Sequence, residues 1–255
     1  MSRSDRLGTG PLGTEPSSAP PGARLDVPAA NDLVKVVALD GPAGTGKSTV
    51  ARLTAARLGW RFVDTGATYR AVTLAVLRAG ADPEDAESCR DIAQAAEIQL
   101  RTSTSAPGVL LDGEDVTAAI RTAPVTAAVS AVSSHPAVRA LLIDLQRRAI
   151  GLQGAVVEGR DIATVVAPGA AVKVYLDARP EVRAARRAGE AGELAPGRSE
   201  IEAAILARDR RDNQTNTLRP SGGALHLDTS ELSIDQVVAA LVELVRAAGL
   251  VEAPP

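Results

Sequence analysis

Apolar positions along the chain fall into two alternating textures. Short, β-branched runs occur at 34–40 (VKVVALD), 60–64 (WRFVD), 155–159 (AVVEG), 170–178 (AAVKVYLDA) and 224–228 (ALHLD). Runs of that length and near-continuous hydrophobicity suit the buried centre of a parallel sheet. Between them, apolar residues recur at helical spacing. The spacing predicts helices over 47–58 with Gly59 as the stop, over 68–79 closed by Gly80, from about 82 to 96, from near Pro124, and over 136–151. Further helices are expected from 180 to about 188 and over 233–248, the last stopped by Gly249. Ser199 and Glu202 fit a capping box that would open a helix reaching about Asp212.

Strands that alternate with helices imply a parallel sheet covered on both faces. The expected strands are 34–40, 60–64, 155–158, 171–177 and 224–228. One stretch breaks the alternation. Residues 97–117, EIQLRTSTSAPGVLLDGEDVT, carry short alternating runs around turn residues and read as a small antiparallel patch. No internal repeat is evident.

Composition adds boundaries. The chain has 255 residues, 45% hydrophobic and 23% charged, enough for one sizeable globular domain. A net charge of −3 gives no sign of a protein held to nucleic acid by bulk charge. Lys35, Lys47 and Lys173 are the only lysines, so arginine supplies most of the positive charge. Guanidinium suits phosphate recognition, although codon bias accounts for most of that usage. Cys89 is the single cysteine, which excludes an intrachain disulfide and fits a reducing, cytoplasmic setting. No apolar run is long enough to span a membrane. The first 32 residues are rich in Gly, Pro and Ser and are expected to form a disordered tail.

The chemistry begins at 41–49, GPAGTGKST. This stretch fits G-x-x-x-x-G-K-[ST] and stands between an expected strand and an expected helix. Gly41, Pro42, Ala43, Gly44, Thr45, Gly46, Lys47, Ser48 and Thr49 would cradle the phosphates of a nucleotide on inward-facing amides at a helix N-terminus. Lys47 would reach the β- and γ-phosphates, and the Ser48 hydroxyl would sit on Mg²⁺. No Asn-Lys-x-Asp guanine-reading run accompanies the loop, and the size fits a small-molecule kinase better than a motor.

Three stretches supply candidates for an acceptor pocket. They are DTGATYR (64–70) with Thr65 and Arg70, SAVSSHPAVR (130–139) with Ser130 and Arg139, and EGRDIATVV (158–166) with Gly159, Arg160 and Asp161. The first and last leave strands at the sheet edge where open α/β folds bind ligands. Taken singly, each has a structural alternative, a helix cap for the first and an internal salt bridge for the last. His135 and His226 read as structural.

In order, these motifs, together with DGEDVTAAIRT, HPAVRALLIDLQRRA, VKVYLDA and LDTSELSIDQVV, resemble the bacterial cytidylate kinases over about 34–248. The resemblance implies a nucleoside-monophosphate-kinase-like α/β domain over 33–250. Its five-stranded parallel sheet would be flanked by helices, with a small antiparallel insert at about 97–121 over the acceptor and a short lid at about 183–211. It implies transfer of the γ-phosphoryl of ATP, with Mg²⁺, to CMP or dCMP by a monomer. By that resemblance Thr65 lies near the acceptor nucleotide, and Arg70, Arg139 and Arg160 lie largely on its phosphate. Ser130 and Asp161 contact base or sugar, and Arg208 and Asp212 complete the pocket. The lid arginines, Arg187, Arg208 and Arg211, meet the transferring phosphate.

The sequence departs from the family in three places. Thr215 stands where the family has a further arginine, Arg219 being a possible substitute. Ala163 replaces a glycine in G-R-D-[MI]-G-T-V-V, and the lid is brief. A different small-molecule acceptor, or a weakly catalytic ATP-binding module, are the alternatives.

Overall fold

A computed structural model of the chain describes residues 27–191, 197–215 and 220–251. Residues 1–26 of the expected tail, the centre of the lid at 192–196, and Arg219 lie outside the described residues, as do the side chains of Arg208 and Thr215.

Five parallel strands form the central sheet: β1 (Val36–Asp40), β2 (Arg61–Asp64), β6 (Ala155–Glu158), β7 (Val172–Asp177) and β8 (Leu225–Asp228). Their order is β2-β6-β1-β7-β8, with β1 at the centre. Register is parallel throughout, with Val37 opposite Val156 on one side and Val172 on the other. β1 and β6 are buried at every position, which is why they read as continuous apolar runs rather than alternating ones. Each of the five strands ends on an acid: Asp40, Asp64, Glu158, Asp177 and Asp228.

The helices are α1 (Lys47–Leu58), α2 (Thr65–Arg78), α3 (Ala86–Ala95), α4 (Ala123–Ser134), α5 (Pro136–Ile150), α6 (Pro180–Ala191), α7 (Arg198–Thr215) and α8 (Ile234–Ala247). α1 and α8 pack on one face of the sheet, burying Val50, Ala55, Val238 and Leu241 against Val37, Leu39 and Val174. Ile150, Ile162 and Val166 cover the other face over Val36, Ala38 and Val157.

The insert is a three-stranded antiparallel sheet of β3 (Ile98–Arg101), β4 (Gly108–Leu111) and β5 (Glu114–Asp115). Leu111 pairs with Glu114, leaving Asp112 and Gly113 as a two-residue turn, both with positive φ (51° and 82°). That is the Asp-Gly hairpin chemistry the sequence carries. The insert is tied to the outer strand of the main sheet through Phe62 N–H, which donates to Thr102 O at 2.9 Å.

Several boundaries differ from the sequence expectation. Trp60 N–H bonds back to Ala55 O at 2.9 Å and closes α1, so β2 starts one residue later. α2 starts at Thr65 rather than 68, because the Asp64 carboxylate accepts from Ala67 N–H at 3.0 Å and caps the helix there. Ser199 is not an N-cap. The Gly197 carbonyl already accepts from Glu200 and Ile201 N–H (2.9 and 3.0 Å), so α7 opens at Arg198 and Ser199 lies in its first turn. The capping box occurs instead at Ser233 and Gln236, at the start of α8.

Candidate active site

The loop from Gly41 to Gly46 leaves the carboxyl end of the central strand and feeds α1. Gly41 holds φ at 145°, and a side chain there would run into the Leu176 carbonyl oxygen of β7. The loop carbonyls are taken up by cations and hydroxyls. Pro42 O accepts from Lys47 Nζ at 2.6 Å and from Thr45 Oγ1 at 3.2 Å. Ala43 O accepts from Arg183 (3.1 Å), Thr45 O from Arg186 (3.1 Å) and Gly41 O from Arg160 (2.7 Å). Arg186 also holds Thr229, through its hydroxyl at 3.0 Å and its carbonyl at 2.7 Å, so α6 braces the loop against the segment after β8. Holding the carbonyls preorganises the loop, because a peptide fixed by its carbonyl has its N–H direction fixed too.

Two strand-end acids stand beside the loop. Asp40 is buried and accepts from Ile162 N–H (2.8 Å) and Ala163 N–H (2.9 Å). Burial pushes its carboxyl up to about 6, against the two amide bonds that favour the charge. Glu158 accepts from the Ser48 hydroxyl at 2.8 Å through Oε2, while Oε1 is buried without a hydrogen-bond partner. Burial, and then the neighbouring Asp64, push Glu158 up to about 8. Ala163 has an ordinary φ and is buried with its N–H satisfied, so the methyl where the family has glycine is accommodated by the backbone.

The acceptor-side candidates gather at the same edge. Arg70, on the second turn of α2, donates to Ile120 O (3.0 Å) and Thr126 Oγ1 (2.9 Å). Burial lowers its pKa, and repulsion from Arg121, Arg187 and Arg160 lowers it further, with only Asp64 opposing. Arg121, Arg187 and Arg160 are thus within electrostatic reach of Arg70. Asp64 and Asp212 pair with Arg121 (3.3 Å) and Arg160 (2.9 Å), and a cluster of guanidiniums of this kind suits a phosphate.

Arg139 on α5 pairs with Asp161, both side chains largely buried at 13% and 12% exposure. The Arg139 guanidinium also lies over the Tyr69 ring, 5.7 Å from its centroid. Gln146 donates to Thr68 Oγ1 at 3.0 Å beneath this cluster. Ser130 donates to Asp212 at 3.4 Å, and Asp212 also pairs with Arg160 at 2.9 Å. Thr65 is buried and donates to Glu158 O at 2.7 Å. Gly159 turns the chain out of β6, its N–H on Leu39 O at 3.0 Å. Arg160 and Asp161 do not pair with each other. Each pairs across to a different helix, Arg160 with Asp212 and Asp161 with Arg139, so the salt-bridge alternative stands beside the pocket reading.

A cavity of about 170 Å³ lies between the start of α1 and the insert, with Ser48, Asp64, Phe62, Arg52, Arg101 and Arg121 among its lining residues. Arg211 is exposed on α7. His135 is buried with its ring on Pro83 O at 2.9 Å, and His226 stacks on Tyr175 beside Asp177, so both histidines serve packing, as expected.

Sequence reasoning missed Asp40, Glu158, Tyr69, Arg121, Arg183, Arg186 and Asp209. For the first two a signal existed. Charged residues closing fully buried strands had to face the ligand edge. The rest depend on which helix face turns inward, which a single sequence does not give.

The family model described as cytidylate kinase matches residues 37–247. The chain belongs to the cytidylate kinase family. Proteins called cytidylate kinase from Rhodococcus opacus (strain B4) and Rhodococcus jostii (strain RHA1) are each 50% identical over 217 residues, covering 82% of this chain and 94% of the relative. Another from Mycolicibacterium paratuberculosis is 49% identical over 216 residues, covering 83% and 95%.

Proposed function

We propose that the protein transfers the γ-phosphoryl group of ATP to CMP or dCMP, giving ADP and CDP or dCDP. The single observation that carries this reading beyond family membership is the convergence of Arg70, Arg121, Arg160 and Arg187 at the edge of the phosphate loop. That cluster is what an anionic acceptor requires.

The chemistry needs no general base. The acceptor is a phosphate oxygen already ionised at neutral pH, so catalysis reduces to positioning and charge stabilisation. The amides of 41–49 and Lys47 hold the donor phosphates. Arg70, Arg160 and Arg139, the last supported by Tyr69, hold the acceptor phosphate. Asp161 and Ser130, with Thr65, Gly159 and Asp212 beside them, bound the pocket for base and sugar. Arg187, Arg208 and Arg211 act on the transferring group, and the insert at 97–121 and the lid at 183–211 exclude water.

The donor set beside the loop fits Mg²⁺. The Ser48 hydroxyl is a hard oxygen ligand, and the Glu158 carboxyl beside it has an oxygen with no hydrogen-bond partner among the described residues. Mg²⁺, when bound, neutralises charge on the donor phosphates. Ser48 would hold it, with Glu158 orienting the hydroxyl. We infer a monomer from the family resemblance alone. A buried free Cys89 fits a reducing cytoplasm.

ADP release from Mg-ATP with CMP, dCMP, UMP, AMP, GMP and shikimate as acceptors tests the reading. Turnover confined to CMP and dCMP supports it. Turnover with another acceptor reassigns the pocket, and ATP binding with no acceptor-dependent release leaves a nucleotide-binding module.

A further inference from the structure

Asp209 on α7 has no role in the reaction as derived above. Its side chain is 15% exposed. Oδ1 accepts from the Ala43 N–H of the phosphate loop at 3.2 Å. Oδ2 takes the Arg183 guanidinium. Arg160, assigned to the acceptor phosphate, stands 3.9 Å from Oδ1. One turn further on, Asp212 takes Arg160 at 2.9 Å. The two carboxylates lie three residues apart, so they share one helix face. Asp209 is therefore an anion lodged between a donor-loop amide on one side and an acceptor-side guanidinium on the other.

A carboxylate and a phosphate oxygen present the same chemistry to N–H and guanidinium donors. We propose that Asp209 is a stand-in for phosphate in the unliganded enzyme. It docks α7 on the loop at the junction of the donor and acceptor halves, and the phosphates of ATP must displace it. The proposal rests on the reading of residues 41–49 as the ATP site. Docking of α7 through Asp209 and occupation of the loop by phosphate are then competing states, and a ligand shifts such an equilibrium only by its preference for one of them.

The consequence is measurable. Asp209→Asn keeps the shape and removes the charge, and it leaves one acceptor oxygen, for Ala43 N–H or for Arg183 but not both. Binding of Mg-ATP and of inorganic tripolyphosphate, followed by calorimetry, should tighten by about tenfold in Asp209→Asn, within the usual range of coupling between two sites. Adenosine, which brings no phosphate, should bind wild type and variant alike. Asp209→Ala, checked by its thermal midpoint, should show the same pattern if the asparagine variant fails to fold.

Tighter binding of both phosphate ligands with unchanged adenosine supports the proposal. Unchanged or weaker Mg-ATP binding overturns it and makes Asp209 a fixed strut of the loop. Equal tightening of adenosine also overturns it, since the effect is then general loosening of the site. Wild-type protein that binds neither Mg-ATP nor tripolyphosphate overturns the ATP-site reading itself, and the inference with it.

Discussion

Arg139 and Asp161 form an ion pair between α5 and the turn that leaves β6, and the same guanidinium rests over Tyr69. Both members are largely buried, so the pair is held in one geometry and its polar edges are aimed rather than mobile.

Asp161→Ala removes one partner and leaves Arg139 as a buried, uncompensated charge. Loss of about 3 kcal/mol of stability is expected, the lower end for breaking such a pair, together with a fall in kcat/KM that is larger for CMP than for UMP. Urea melts and steady-state kinetics with both acceptors check this. An equal loss with CMP and UMP would remove Asp161 from base or sugar recognition.

Lys47 donates to Pro42 O across the loop and carries the charge for the donor phosphates. Lys47→Ala should lower kcat by about a thousandfold, the scale of losing an electrostatic contact to the transition state. Its thermal midpoint should stay close to wild type, because the loop retains its Arg160, Arg183 and Arg186 contacts. Turnover near wild type would mean the loop is not catalytic.

Asp40 gives the stability a pH dependence. Its folded pKa, about 6, is above the ordinary value of 3.8, so the folded state binds more protons than the unfolded one between those values. Stability from this group is therefore present below about pH 4 and is lost as pH rises through about 6. The loss is on the order of 3 kcal/mol, because each tenfold change in proton affinity between the two states is worth about 1.4 kcal/mol. Asp40→Asn lacks that titration. Urea melts at pH 4 and pH 7 should show wild type losing ground to Asp40→Asn by that order, and a constant difference would rule out the burial effect.

Gly41 and Gly46 separate two costs of a side chain. Both have positive φ, but a Cβ at Gly41 meets the Leu176 carbonyl whereas one at Gly46 meets open space. Gly46→Ala should cost about 1 kcal/mol of backbone strain, or roughly 3 °C in Tm for a protein of this size. Gly41→Ala should cost clearly more, since β7 or the loop must move. Calorimetric Tm values for the two variants test the ranking.

The parallel sheet was legible because β1 and β6 are buried at every position, and such strands write themselves as near-continuous apolar runs. The insert was legible through Asp112-Gly113, a turn with a backbone demand of its own. Helix starts were less so. Asp64 and Gly197 moved two of them by satisfying terminal N–H groups that propensity does not see. At the site, the phosphate loop is contiguous in sequence and could be read directly. The pairs Arg139–Asp161, Arg160–Asp212 and Arg183–Asp209 join segments up to 52 residues apart, from Arg160 to Asp212. Their pairing is fixed by the packing of α5, α6 and α7, not by local pattern.

The five strands each end on an acidic side chain, so the sheet itself offers no cation to a substrate made of phosphates. The cations and amides assigned to the phosphates, Lys47 included, are all mounted on the loops and helices around it. Affinity for a nucleotide is therefore a property of those surrounding layers, and it can be retuned without touching the sheet.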